Sequence, residues 1–236
     1  MAPFEDLLDP ADWEQLEVCR YQVVRQFRSK RNQVCLVRVS RTDGTAGELV
    51  VKRAGEQVVD LSREASLQAL LHQRGLAVPR VLLAKPRCLV MQYITGETLV
   101  DYLEQVEREY PLCPETLQSA VRPLAQQLAA WLQLFYRITA DSFGRAMIRG
   151  DVNLRNFLVR DDKIFGVDFE DARPGDMAED AGRILAFALT YDPAFTPWKR
   201  AIVEELSLAF REVLQLAAKP LQRAMEAELQ AIRERR

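Results

Sequence analysis

Two stretches decide how this chain is read: Arg149-Gly150-Asp151-Val152-Asn153-Leu154-Arg155-Asn156 and, a little further on, Gly166-Val167-Asp168-Phe169-Glu170-Asp171. An aspartate is followed by an asparagine and then by a second aspartate closing a short apolar run. Asp151 can accept the proton of an attacking hydroxyl. Asn156 and Asp168 offer the hard oxygen ligands that Mg²⁺ prefers. A lone D-x-x-x-x-N arises often by chance, and Asp and Asn also cap ordinary loops. Turn chemistry does not explain why Asp168 follows the β-like run Lys163-Ile-Phe-Gly-Val167 after a hairpin turn at Asp161-Asp162-Lys163. The weight of the pattern comes from what surrounds it.

Upstream, Lys52 ends the apolar strand Leu49-Val50-Val51. A lysine there can hold phosphates as a point charge, although strand-end lysines are usually solvent-facing. Glu64 falls on the following predicted helix, where it can pair with Lys52 or simply complement the helix dipole. Residues 20–41 carry seven Arg or Lys and no acid, whereas residues 151–180 hold nine acids against four bases. The first distribution suits an anionic ligand or a solvated sheet edge. The second suits a metal-binding cleft.

The chain has 236 residues, 48% hydrophobic and 28% charged, enough for one medium domain or two small lobes. A net charge of −2 argues against general polyanion binding, so no nucleic-acid partner is expected. Cys19, Cys35, Cys88 and Cys113 form no C-x-x-C pair, and His72 is the single histidine; reduced thiols are expected and a zinc site is not. No apolar run reaches the roughly 18 residues of a membrane helix, and the acidic N-terminus lacks a signal pattern. A cytoplasmic address without membrane insertion is the expectation.

Tyr21–Phe27, Val34–Val39 and Glu48–Lys52 read as an antiparallel meander. A helix follows, capped by Ser62 and ended by Gly75, then two strands at Val81–Leu83 and Cys88–Tyr93. Leu117, Val121, Leu124, Leu128, Leu132 and Phe135 recur at helical spacing, with Pro123 expected to interrupt. From Asp176 the chain is helical again, with a break expected at Pro220. The expected architecture is α+β and two-lobed: residues 1–95 a small antiparallel β lobe with one helix, residues 96–236 a mainly helical lobe with the catalytic and metal-binding loops.

In this order the motifs resemble a small, bacterial-type member of the aminoglycoside phosphotransferase and choline kinase superfamily, which has a protein-kinase-like fold. The resemblance spans roughly residues 20–190. Arg63–Val81 resembles the family's helix, turn and next strand, Leu89–Leu99 its hinge, Arg149–Asn156 its catalytic loop, and Asp168–Asp180 its metal-binding turn. It implies that Lys52 contacts the α/β phosphates of ATP and Glu64 holds it. Backbone groups of Gln92 and Ile94 would bind adenine. Asp151 is the implied base, Asn156 and Asp168 the implied Mg²⁺ ligands, and Asp180 a brace for the catalytic loop.

Two departures stand out. Arg149 occupies the position where the family usually has His, so the packing behind the catalytic loop must differ. The turn Arg28-Ser29-Lys30-Arg31-Asn32-Gln33 lacks the glycines of a protein kinase's phosphate loop, and Lys30 and Arg31 are expected to meet the triphosphate instead. The function expected is ATP- and Mg²⁺-dependent phosphorylation of a small-molecule hydroxyl acceptor such as a sugar, an amino alcohol or an aminoglycoside-like compound. The alternatives are a protein serine/threonine kinase and a silent pseudokinase serving as a binding module. Tyr191, Phe195, Trp198, Glu204 and Glu205 either line an acceptor pocket or belong to the core and a solvated helix.

Overall fold

A computed structural model describes residues 7–58 and 60–235. Among them the chain divides into two compact units: residues 7–73 with 78–94, and residues 74–77 with 95–235.

The first unit is a five-stranded antiparallel sheet. Its strands are β1 (Val18–Phe27), β2 (Asn32–Arg41), β3 (Ala46–Ala54), β4 (Val81–Lys85) and β5 (Cys88–Gln92), in the order β1-β2-β3-β5-β4. Period-two alternation sends Cys35, Val37, Val39, Leu49, Val51 and Val90 to one face. There they pack with Trp13 and Leu16 from the first helical segment, α1 (Pro10–Gln15), and its exit. The opposite face carries Val50, Leu89 and Met91 against Leu61 and Ala65 of the α2 region (α2 is Ser62–Gln73). Lys52 shares the parity of Val50 and so faces α2. Ser62 is the first residue of α2 rather than its cap: its N–H goes to the Asp60 carboxylate at 2.7 Å. The end at Gly75 is as expected, with φ +83° just past the last helical turn.

The second unit is mainly helical. After β6 (Glu97–Thr98), α3 (Leu99–Glu109) is capped by the Thr98 hydroxyl, which accepts from Asp101 N–H at 3.2 Å. The short α4 (Pro114–Thr116) continues through a π-helical turn at Leu117–Val121 into α5 (Arg122–Phe143). Pro123 does not interrupt α5. It lies in the first turn of α5, directly after the π-helical turn that shifts the hydrogen-bond ladder. Pro220 lies inside the first turn of α8 (Ala218–Arg235), and the break precedes it. Between these run β7 (Met147–Ile148), β8 (Phe157–Arg160), β9 (Lys163–Gly166), β10 (Arg173–Pro174), α6 (Met177–Thr190) and α7 (Pro197–Val213). β8 and β9 form the expected hairpin, and both turn residues, Asp161 and Asp162, have positive φ (48° and 56°) as a two-residue type I′ turn requires. Residues 74–77 belong to this unit because the Ala77 carbonyl accepts from Trp131 Nε1 (2.9 Å) and from Gly166 N–H (3.1 Å). No helix among the described residues is long and apolar enough to cross a membrane.

Candidate active site

In the first unit, the parity that turns Lys52 toward α2 brings it onto Glu64: Lys52 Nζ donates to both carboxylate oxygens, at 2.8 and 3.0 Å, and each residue is 4% exposed. Two buried opposite charges in bidentate contact hold one another in place. One turn on, Gln68 is also buried, donating to the Pro79 carbonyl at 2.8 Å. At the end of β5, the Gln92 N–H is already donated to the Arg80 carbonyl (2.9 Å), so an adenine at this residue would have to use its carbonyl. Lys30 and Arg31 lie on an exposed turn, where Ser29 Oγ accepts from Asn32 N–H at 3.2 Å.

In the second unit, the catalytic-loop stretch is held from behind by one carboxylate. Asp180 of α6 accepts from Arg149 N–H (2.7 Å), Gly150 N–H (3.1 Å) and the Tyr136 hydroxyl (3.2 Å). It is fully buried; burial pushes its pKa up, and the two backbone donors and the nearby Arg149 charge oppose that. Gly150 takes φ +75°, and a Cβ there would lie 2.5 Å from the Asp171 carbonyl oxygen, so glycine is required. Its own carbonyl accepts from Arg183 Nη1 at 2.6 Å, and Arg183 pairs with Glu228 of α8 at 3.1 Å.

This frame presents Asp151. One of its oxygens accepts from Asn153 N–H at 3.1 Å, which orients the carboxylate. A single 3₁₀ turn at Leu154–Asn156 follows, in which the Asn153 side chain accepts from Arg155 N–H (3.0 Å) and from the Tyr191 hydroxyl (2.6 Å). Burial pushes Tyr191 up to about 12, so its phenol remains a donor throughout the neutral range. Asn156 Nδ2 points back to the Asp151 carbonyl at 3.5 Å, while the Asn156 carbonyl accepts from Val167 N–H at 2.9 Å. The loop at 149–156 is thereby tied to the residue preceding Asp168. Asp168 is exposed and has left-handed backbone, φ +64°. It and Glu170 offer carboxylate oxygens within 4.8 Å of one another. Hard oxygens at this spacing fit Mg²⁺. Glu170 was not singled out from sequence; its only signal is an acid two residues beyond Asp168.

The largest departure from the expected pattern is Arg149. Its side chain is fully buried inside an aromatic box, 5.3 Å from the Trp131 ring centre, 4.8 Å from Phe157 and 4.7 Å from Phe169. Nη2 donates to the carbonyls of Val167 (2.6 Å) and Asp168 (3.0 Å). Nε and Nη1 have no hydrogen-bond partner among the described residues. Burial pulls the guanidinium pKa down, and Asp180, Asp168 and Asp151 oppose this.

The residues expected to form either an acceptor pocket or the core separate. Trp198 is buried, and Glu205 binds Arg122 at 2.8 Å. Glu204 and Phe195 are exposed. Tyr191 alone reaches the catalytic loop. Beside it a narrow crevice is lined by Val100, Leu103, Glu104, Leu154, Tyr191 and Ile202.

Residues 114–216 match the sequence model of the phosphotransferase enzyme family. The fold is similar to that of amicoumacin kinase hAmiN, solved in complex with AMP-PNP, Ca²⁺ and Ami, with a TM-score of 0.52 at 13% identity over 88% of this chain and 78% of that one. It is also similar to an ethanolamine kinase of Plasmodium vivax, with a TM-score of 0.51 at 11% identity over 95% and 74%. No curated protein sequence matches. The fold is protein-kinase-like. The match over residues 114–216, a little under half of the chain, agrees with the resemblance that the chain's motifs carry to the aminoglycoside phosphotransferase and choline kinase superfamily.

Proposed function

We propose that the protein is an ATP- and Mg²⁺-dependent phosphotransferase that moves the γ-phosphate to a hydroxyl of a small molecule. The observation that carries this reading is the coupling of Asp151, Asn156 and Asp168 on two loops tied by the Asn156–Val167 hydrogen bond. Support for the nucleotide comes from the AMP-PNP and Ca²⁺ in the amicoumacin kinase complex. The named acceptors of both similar structures, amicoumacin and ethanolamine, support a small-molecule acceptor. Four cysteines without a disulfide suit a reducing, cytoplasmic setting.

In this reading the acceptor hydroxyl donates to the Asp151 oxygen not used by Asn153. As the new O–P bond forms and the bond from γ-phosphorus to the β-phosphate oxygen breaks, Asp151 takes the proton. Asn156 and Asp168, with Glu170 as a further oxygen donor, would hold Mg²⁺, which neutralises phosphate charge when bound. Lys52, fixed by Glu64, holds phosphate oxygens. Gln92 and Ile94 receive the adenine through backbone groups, and Lys30 and Arg31 add charge toward the triphosphate. The acceptor would approach Asp151 beside Tyr191, whose hydroxyl holds the Asn153 side chain.

The test is ATP binding by calorimetry, with and without Mg²⁺, on wild type and Asp168→Ala. Metal-dependent binding lost in Asp168→Ala supports the reading and opens an acceptor screen with Asp151→Asn as the inactive control. No binding by wild type under either condition overturns it.

A further inference from the structure

We propose that Arg149 is a positioning residue that sets the backbone of Asp168 from behind, so that the metal-ligand loop is shaped before any cation arrives. What Asp168 does with that shape depends on the phosphotransferase reading; the link itself follows from geometry alone.

Nη2 of Arg149 touches the carbonyl oxygens of both Val167 and Asp168. These belong to the two peptide planes flanking the Asp168 Cα, so a single nitrogen grips both sides of one residue. Successive carbonyls point the same way only when the residue between them has a helical-type backbone, because in an extended strand they alternate. Asp168 has such a backbone, but of the left-handed kind (φ +64°), which L-residues adopt with strain unless their surroundings impose it. The guanidinium supplies that imposition.

The other end of Arg149 is equally fixed. Its N–H and that of Gly150 are held by the buried Asp180 carboxylate. The rings of Trp131, Phe157 and Phe169 lie against the guanidinium, and the whole side chain is buried. Gly166 makes room: a Cβ there would lie 2.5 Å from Arg149 Nη1. A rigid span thus runs from Asp180 through Arg149 to Asp168, fixing catalytic and metal loops in one register. Residues that orient a metal ligand from behind commonly change metal affinity by about 10–100-fold when removed.

Hydrogen exchange of the intact, nucleotide-free chain tests the link. In Arg149→Met the amides of residues 167–170 should exchange about tenfold faster or more, with the five-stranded sheet unchanged. Arg149→His, a flat ring with one donor toward the carbonyls, should restore most of that protection. Calorimetry with ATP should show the Mg²⁺-dependent affinity of Arg149→Met falling by about tenfold or more, while metal-free ATP affinity stays the same. A purely structural role would lower both together. Unchanged exchange at 167–170 in Arg149→Met, or an equal fall in both affinities, overturns the proposal. Should the Met variant fail to fold, contacts between the Arg149 guanidinium protons and residues 167–169 are read by NMR in wild type, and their absence overturns it. If wild type binds no nucleotide, the function reading falls while the exchange result still decides the link.

Discussion

Arg149 and Gly166 compete for one volume: a Cβ on residue 166 would fall 2.5 Å from Arg149 Nη1 and 2.3–2.6 Å from two ring carbons of Trp131. Such close approaches do not occur between real atoms, so something must shift. Gly166→Ala is expected to cost about 1–3 kcal/mol, as overpacking of a dense core does. The shorter side chain in Arg149→His should relieve part of this, leaving a coupling of about 0.5 kcal/mol or more in a double-mutant cycle. Urea denaturation of the four proteins measures it, and strict additivity would show that Trp131 alone forbids the side chain.

Lys52 and Glu64 form a buried pair, and breaking it should cost more than replacing it. Lys52→Met or Glu64→Leu alone leaves a buried charge without its bidentate partner, with an expected loss of about 3–5 kcal/mol. The double variant, apolar at both positions, is expected to be more stable than either single one, though without nucleotide turnover. Chemical denaturation checks the order of the three variants.

Asp151→Asn keeps an oxygen able to accept from Asn153 N–H but cannot take a proton. Phosphoryl transfer is expected to fall by about 10²–10⁴-fold, with melting temperature and Mg²⁺–ATP affinity near wild type. A variant that also loses nucleotide binding would mean that Asp151 supports the fold rather than the transfer.

Stability should decline on the alkaline side. Burial raises the Cys88 thiol from its ordinary 9.0 to about 11, the Tyr191 phenol from 10.0 to about 12, and the Tyr136 phenol well above 10.0. The native state therefore holds these protons more tightly than the unfolded chain. Their contribution is complete below about pH 9 and is lost as pH rises through 9–12. Tyr136→Phe, which removes the more buried of the two phenols, should flatten the fall between pH 10 and 12 in urea midpoints. An unchanged slope in that variant would remove Tyr136 from the explanation.

Signals that act over a few residues were legible in the chain itself. The strands of the meander alternate because one sheet face is buried. Asp161-Asp162 announce a hairpin because both must take positive φ. The spacing of Asp151, Asn156 and Asp168 could be read because each sits on its own short loop or strand end. Local readings failed where a residue's role depends on its place in an element. Pro123 was expected to interrupt its helix but follows a π-helical turn within a continuing one, the break expected at Pro220 falls just before it, and Ser62 was given a cap that Asp60 supplies. The sequence by itself determined the main strands and helices, their order and which side chains stand at 151 and 168. Only the tertiary structure decided what surrounds Arg149. Trp131, Phe157 and Phe169 come from three separated segments, and Asp180 from a fourth; no local propensity or period relates them. A cation can be buried only where folding brings such partners to it.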